Sequence, residues 1–157
     1  MNSDCDVCKF IANKPLKHQI LTTSFWTIGV ISDQAYLGRA LITLLDHKPS
    51  LGELSTEEWQ DFEMIIPRLE QAYKLSFGAQ PLNIGCFMNH AYRKDPPCPH
   101  VHWHIFPRLK EPYKLGGMVF DDARYGSFYD DDARHIISDE VVGMVADKLR
   151  KALQAAS

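Results

Sequence analysis

The chain has 157 residues, of which 45% are hydrophobic, and a formal net charge of −3. This length allows one domain with a real core but not two comfortable ones, so we expect a single domain over 1–157. The slightly negative net charge argues against binding to a nucleic-acid polymer. No apolar run approaches the roughly 20 residues that span a membrane. Residues 1–6 lack the basic and apolar blocks of a signal peptide. We therefore expect a cytoplasmic protein without a membrane partner, for which a small nucleotide remains a possible ligand.

The chain contains four cysteines, too few to indicate a disulfide scaffold at this length, and they are better interpreted as thiols or metal ligands. Cys5 and Cys8 form a C-x-x-C pair, without the preceding strand that a thioredoxin-type redox motif requires. A zinc half-site is the better interpretation. It leaves two of the four tetrahedral ligands to come from elsewhere in the chain.

Two strands are predicted after this motif. Residues 10–18 are polar and are interpreted as a connector, whereas 25–31 and 40–45 are rich in β-branched, aromatic and aliphatic residues. The segment between the two runs contains turn formers, among them Asp33 and Gly38. The pattern predicts an antiparallel pair of strands.

A long helix is predicted next. Ser55 and Glu58 form a capping box, which opens a helix to about Tyr73. Pro67 lies inside the pattern and predicts a kink or an early end. One face of this helix carries apolar residues at helical spacing, which indicates a core or an interface: Trp59, Phe62, Ile66, Leu69 and Tyr73.

A third strand over 82–89 and a loop over 90–99 lead to His100, His102 and His104, which occupy alternating positions. If this segment is a strand, the three imidazoles project from one face, and Val101, Trp103 and Ile105 pack on a core from the other. A solvated strand face is usually built from Lys, Glu, Thr and Ser. Because the chain has only seven histidines in all, three of them in five positions favour a functional site.

The C-terminal part is predicted to contain a short strand over 118–120, an irregular acidic and aromatic arm over 121–134 and a final helix over 139–155. The apolar stripe of that helix is Val141, Val142, Val145, Leu149 and Leu153. The aromatic residues of the arm, added to the stripe of the long helix, are more apolar surface than a small sheet needs. We therefore expect a homodimer.

The run from His100 to Phe106 resembles the His-φ-His-φ-His-φ-φ motif of the histidine triad family, where φ is apolar. The resemblance implies an α+β fold in which an antiparallel sheet of about five strands has helices packed on one face. It also implies a nucleotide hydrolase or transferase that acts at an α-phosphate through a nucleotidyl-histidine on His102. The backbone carbonyl of His100 would hold the second ring nitrogen, and His104 would lie by the phosphate oxygens or the leaving group.

The resemblance implies two nucleotide-binding residues, Asn89 before the triad and Asp33 on the ribose hydroxyls. Many relatives carry Gln and Ser or Thr just before the triad to hold phosphate oxygens, whereas this chain has Asp95-Pro96-Pro97-Cys98-Pro99. We therefore expect phosphoramidates, in preference to long polyphosphates, as substrates.

A zinc-bearing branch of the family, which includes the galactose-1-phosphate uridylyltransferases, uses a C-x-x-C, a His after the second strand and the first triad His as ligands. The chain resembles bacterial-type members of this branch, and the ligands implied are Cys5, Cys8, His47 and His100, a set suited to a closed structural zinc. Cys98, two residues before His100, is an alternative candidate for one of the four ligand positions.

The resemblance covers residues 5–108 and leaves the arm and helix of 109–157 outside it. Two other functions stay open at this point. One is a nucleotide-binding protein of the same fold that has no turnover. The other is a metal-dependent hydrolase or oxygenase in which His100, His102 and His104 bind the metal directly.

Overall fold

Five antiparallel strands form the main sheet of the computed structural model, which describes residues 2–13, 18–130 and 132–155. In chain order the strands are β1 (Gln19–Thr22), β2 (Trp26–Val30), β3 (Ala40–Leu44), β4 (Leu82–Gly85) and β5 (His102–Pro107). In space their order is β1-β2-β3-β5-β4. Strand β5, which carries two of the triad histidines, therefore lies inside the sheet between β3 and β4.

Within the described residues, three α-helices accompany the sheet: α1 (Asp6–Asn13), α2 (Thr56–Phe77) and α3 (Asp139–Ala155). Helices α2 and α3 pack against each other and against the sheet. A small hairpin of β6 (Tyr113–Leu115) and β7 (Met118–Phe120) follows β5, and short 3₁₀ helices cover Leu51–Glu53 and Asn89–Arg93. The predicted α+β class, with a sheet of five antiparallel strands, is confirmed.

The two faces of the sheet differ in chemistry because side chains alternate along each strand. Ile28, Ile42 and Trp103 are neighbours across β2, β3 and β5, and Phe62 of α2 packs on Trp103 with ring centroids 4.9 Å apart. On the opposite face the corresponding neighbours are Thr27, Thr43 and His102. Helices α2 and α3 thus cover the apolar face and leave the triad on the other one.

Helix α2 begins as the capping box predicts, since the Ser55 hydroxyl accepts from the Glu58 amide and the Glu58 carboxylate accepts from the Ser55 amide. The early end predicted at Pro67 is wrong, because the helix continues to Phe77 and closes on Gly78 at φ +68°. Pro67 lies on the exposed side, where water can satisfy the carbonyl that loses its partner. The buried residues on both sides of it keep the helix on the core.

The apolar stripe of α2, predicted to belong to the core or to an interface, is largely internal. Tyr73 is fully buried, and its hydroxyl donates to the Gly38 carbonyl at 2.7 Å. Phe62 packs between Trp26 and Trp103, which leaves Trp59 as the exposed aromatic residue of this set. These side chains serve the core, so the homodimer stays a prediction that needs other support.

Three boundaries differ from those predicted. The connector over 10–18 overlaps α1, an eight-residue helix too short to be stable without tertiary contacts, and residues 14–17 of it lie outside the described residues. The third strand ends at Gly85 and not at residue 89, since the chain turns into the 3₁₀ helix at Asn89. Strand β5 begins at His102, so His100 precedes the strand.

The C-terminal arm is held by a buried ion pair. The short strand predicted over 118–120 and the helix over 139–155 are both present, and the described part of 121–134 contains no helix or strand. Arg108 donates to both carboxylate oxygens of Asp122, at 2.6 and 3.0 Å, and to the carbonyls of Arg124 and Ser127, both at 2.6 Å. One guanidinium therefore fixes the course of the irregular arm.

No helix of the described residues is both long and apolar enough to cross a membrane.

Candidate functional site

The three triad histidines line one cleft of about 280 Å³ on the face of the sheet opposite α2 and α3. Other walls of this cleft come from the start of α1 and from the segment that connects β4 to β5. The lining residues outside the triad are Asp6, Val7, Phe87, Met88, His90, Ala91, Lys94 and Cys98. The predicted common face of His100, His102 and His104 is therefore present, although His100 precedes the strand.

The neighbouring strands leave room for the imidazoles. His102 lies opposite Thr43 of β3, and His104 lies between Leu41 of β3 and Gly85 of β4. A Cβ atom at Gly85 would lie 2.4 Å from the Phe87 ring. Glycine at this position allows Phe87 to fold back towards the sheet, with its ring centroid 5.9 Å from that of His104.

His102 is held in one orientation by the backbone. Its Nδ1 lies 2.8 Å from the carbonyl oxygen of His100, the contact that the family resemblance implies. A carbonyl only accepts, so Nδ1 carries the proton and Nε2 keeps a free lone pair. Burial lowers the pKa of His102, which favours the neutral ring. The imidazole has the tautomer and the protonation state of a nucleophile at neutral pH.

His104 is more strongly biased towards its neutral form. Burial, followed by the proximity of His102 and Arg39, lowers the pKa of His104 from 6.5 to about 4. At neutral pH this ring is uncharged, so it offers one N–H donor and one acceptor to a ligand. A phosphate group in the cleft would favour the imidazolium and so raise the capacity of His104 to donate a proton.

A second cluster lies beside the triad and consists of Cys5, Cys8, His47 and His100, hereafter the Cys/His cluster. Its four candidate ligand atoms all lie within 4.8 Å of one another. Nδ1 of His100 is 3.5 Å from Sγ of Cys5, 3.4 Å from Sγ of Cys8 and 3.3 Å from Nδ1 of His47. Cys8 Sγ is 3.6 Å from Nδ1 of His47.

These distances fit a tetrahedral zinc ion. With zinc–sulfur bonds of about 2.3 Å and zinc–nitrogen bonds of about 2.0 Å, neighbouring ligand atoms lie about 3.3–3.8 Å apart. Two thiols and two imidazoles are the donor set of a closed structural zinc site. Cys98, the other candidate ligand, is not in the cluster. Burial raises the pKa of its thiol most, and the nearby Cys5 raises it further.

The sequence brings the cluster together from three segments. Cys5 precedes α1 and Cys8 lies in its first turn, His47 follows β3, and His100 precedes β5. Nε2 of His100 is 2.8 Å from the carbonyl oxygen of Leu44, the last residue of β3. This hydrogen bond fixes the His100 ring so that Nδ1 points towards the cluster. Metal-binding histidines are commonly oriented in this way, by a backbone carbonyl that accepts from the ring nitrogen that does not bind the metal.

Neither of the two predicted nucleotide-binding residues is among those that line the cleft. Asn89 is exposed at the start of the 3₁₀ helix, and Met88 and His90 line the cleft in its place. Asp33 is largely buried and already bonded: its Oδ1 accepts from the amides of Ala35 and His135, and its Oδ2 lies 2.6 Å from Arg39 Nη1. A ribose at Asp33 would have to compete with these donors.

Sequence reasoning missed five lining residues in the segment after β4, namely Phe87, Met88, His90, Ala91 and Lys94. It also missed Asp6, whose carboxylate lies 2.6 Å from Lys94 Nζ. Phe87 and His90 flank the predicted Asn89, which was a signal that this segment faces the site. Lys94 offered no signal, because its position depends on the course of the loop.

No protein-family model and no curated protein matches the chain in sequence. Solved structures do match its fold. A hypothetical histidine triad nucleotide-binding protein from Sulfolobus tokodaii matches with a TM-score of 0.70 at 14% identity, over 96% of this chain and 93% of that one. A zinc-bound histidine triad family protein from Mycobacterium smegmatis matches with a TM-score of 0.63 at 16% identity, over 96% and 94%. The diadenosine triphosphate hydrolase of Plasmodium falciparum matches with a TM-score of 0.64 at 18% identity, over 90% and 79%. The chain has the fold of the histidine triad proteins.

Proposed function

We propose that this protein is a nucleotide hydrolase or transferase that acts at an α-phosphate, with His102 as its nucleophile. The observation that carries the proposal is the 2.8 Å contact between His102 Nδ1 and the His100 carbonyl oxygen. It leaves Nε2 unprotonated on the wall of a cleft that also holds His104. A neutral, oriented imidazole can attack phosphorus as a nucleophile, and a second histidine beside it can donate a proton to the leaving group.

The proposed reaction has two displacements. Nε2 of His102 forms a bond to the α-phosphorus while the bond from phosphorus to the leaving atom breaks, and the leaving group takes a proton that His104 donates or relays. Water or another acceptor then attacks the same phosphorus and gives its proton to His104 while the bond between phosphorus and Nε2 breaks. This step releases the nucleotide, returns the electron pair to Nε2 and restores the proton of His104. The contact with the His100 carbonyl stabilises the positive charge that the His102 ring carries in between.

We propose that the Cys/His cluster holds a structural zinc ion. Its donor set and four of its six distances between ligand atoms, which are 3.3–3.6 Å, support this. When bound, the zinc would cross-link α1, the end of β3 and the residue before β5, with no open position for substrate. The protein residues then do the chemistry, and His100 serves both sites, through its ring and through its carbonyl.

The comparisons support the proposal at the level of the fold. One protein of this fold is a diadenosine triphosphate hydrolase and another binds zinc, and the triad of this chain occupies a cleft on the same kind of sheet. Asn89 and Asp33 stay predicted nucleotide contacts, and the homodimer and the cytoplasmic location stay predictions as well.

The metal-dependent alternative has less support from the geometry. Among the described residues, the one cluster suited to a metal takes His100 but neither His102 nor His104. The ring nitrogens of the triad therefore do not converge on a common ion. A non-catalytic nucleotide-binding protein would have the same cleft, so turnover has to separate it from an enzyme.

The test is a panel of nucleoside 5′-phosphoramidates, dinucleoside polyphosphates and nucleotide sugars, incubated without added metal. The proposal predicts release of nucleoside monophosphate from at least one of them, with phosphoramidates as the first expectation, and no release by a folded His102→Asn variant. Binding without release across the panel would favour the non-catalytic protein. Turnover that disappears on brief chelation and returns with iron or manganese would favour the metal enzyme.

A further inference from the structure

The cleft has two ends of different chemistry. Phe87 lies at the His104 end, with ring centroids 5.9 Å apart, and Met88 and Ala91 add apolar surface to the cleft. Lys94 and Cys98 lie towards the His100 end, because both interact electrostatically with Cys5, whose Sγ is 3.5 Å from Nδ1 of His100. A substrate whose phosphorus sits at His102 therefore has an aromatic end of the cleft on one side and a charged end on the other.

Lys94 supplies the positive charge at that end, and its ion-pair partner Asp6, which also lines the cleft, supplies a negative one. Lys94 is the one Lys or Arg among the described residues that line the cleft. Its Nζ lies 2.6 Å from the Asp6 carboxylate, and the Lys94 side chain is 42% exposed. An ammonium group has three N–H donors, so the pair with Asp6 leaves donors for a ligand. The pair holds the lysine at the cleft without using up its capacity to bind an anion.

We propose that Lys94 recognises an anionic group on the leaving-group side of the substrate, so that the natural substrates are nucleotide conjugates whose leaving group bears a carboxylate or a phosphate. This inference rests on the proposed function. A base stacks on an exposed aromatic ring such as Phe87, which is 41% exposed, and this places the nucleoside at the apolar end. The group on the other side of the phosphorus then lies towards Lys94.

The residues before the triad agree with this assignment. The segment 95–99 consists of Asp, three Pro and Cys, and it has no Gln, Ser or Thr side chain to bind phosphate oxygens. Lys94 immediately precedes it and provides a cation where those donors are missing. Asp6 follows the cluster residue Cys5, so the Cys/His cluster also fixes the partner that holds Lys94.

The experiment compares matched substrates that differ in one charge. Adenosine 5′-phosphoramidates of β-alanine and of β-alaninamide share every bond at phosphorus, but only the first leaving group carries a carboxylate. Lys94→Met should lower kcat/KM for the β-alanine conjugate by about tenfold or more, mainly through KM, since a remote charge contact is made in ground state and transition state alike. For the β-alaninamide conjugate the change should stay within about twofold.

A second pair consists of the conjugates of phosphoethanolamine and ethanolamine. The loss that Lys94→Met causes on each charged conjugate shows whether Lys94 prefers a phosphate or a carboxylate. Lys94→Arg keeps a cation and should recover most of the loss, whereas Lys110→Met, an exposed lysine outside the cleft, should change nothing. An equal loss on both members of each pair would overturn the inference, because Lys94 would then act on the common α-phosphate or on folding. No loss on either member would overturn it too.

Calorimetric binding separates this inference from the proposed function. If the wild-type protein turns over none of these conjugates and no member of the panel described above, the nucleotidyl-transfer proposal fails, but the binding preference is still measurable. Tighter binding of the β-alanine conjugate than of its amide, abolished by Lys94→Met, would support anion recognition by Lys94. Equal binding of the two would contradict it.

Discussion

The carbonyl oxygen of His100 lies 2.8 Å from Nδ1 of His102, while the ring of the same His100 belongs to the Cys/His cluster. One residue thus connects the proposed zinc site with the proposed nucleophile. The ring of His100 is fixed from behind by the Leu44 carbonyl at 2.8 Å. A disturbance of the cluster is therefore expected to reach His102 through the backbone of His100 and not through the metal itself.

Replacement of His104 should slow the chemical step without preventing attachment of the nucleotide. His104→Gln keeps a hydrogen-bond donor but cannot donate a proton, and we expect kcat to fall by about 10²-fold or more. The loss should shrink for substrates with good leaving groups, which need no proton. Steady-state kinetics on phosphoramidates of graded amine basicity measure this. A loss that is independent of leaving-group basicity would contradict the role of His104.

The zinc proposal predicts about one zinc per purified chain and a metal content that depends on the cluster. Cys8→Ser should lose most of the metal and lower the melting temperature by about 10 °C or more, because a cross-link of three segments is lost. Cys86→Ser, which changes a cysteine outside the cluster, is the matched control and should keep the zinc. Elemental analysis that finds no zinc in protein prepared without chelator would count decisively against this site.

His104 also predicts a pH dependence of stability. Its pKa is lowered from 6.5 to about 4 by burial first, so the unfolded chain binds a proton at this residue more readily than the folded protein does. The contribution of neutral His104 to the free energy of unfolding is fully present above pH 6.5. It is lost as the pH falls from 6.5 towards about 4, because the unfolded chain then binds the proton first. Denaturant unfolding at several pH values should show a smaller loss for His104→Gln than for the wild type. Parallel curves for the two proteins would refute the prediction.

The buried pair of Arg108 and Asp122 predicts a specific pattern of stability changes. Arg108→Met leaves the Asp122 carboxylate buried without its partner and should cost about 3 kcal/mol or more. The double variant Arg108→Met, Asp122→Leu removes both charges and should be more stable than the single one. Chemical denaturation measures both variants. A double variant that is no more stable than Arg108→Met would contradict the prediction.

The sequence predicted those features that depend on local pattern. The alternation of His100, His102 and His104, the capping box at Ser55 and the apolar stripe of α3 all depend on residues close together in the chain. The five-stranded α+β sheet was predicted from the family resemblance. The ligand set of the Cys/His cluster also came from the resemblance, and the structure brings its four residues together.

The features that the sequence did not predict depend on tertiary contacts. Helix α1 has only eight residues, and α2 continues through Pro67 because residues on both sides of that proline are buried. Lys94 faces the cleft because of the loop that carries it and because of Asp6, which is distant in the chain. No periodicity in the sequence records such a contact.

The most direct measurement of the central claim is the trapping of the covalent intermediate. Protein is mixed for a short time with a nucleoside 5′-phosphoramidate that is labelled in the nucleotide. The reaction is quenched in denaturant, and acid is avoided because it would cleave a phosphorus–nitrogen bond. The protein is then digested for peptide mass spectrometry. The proposed mechanism predicts that the labelled nucleotide is recovered on His102 and that a folded His102→Asn variant carries no label and loses about 10³-fold or more in turnover. Near-normal turnover by His102→Asn, or label on another residue in the wild type, would contradict it.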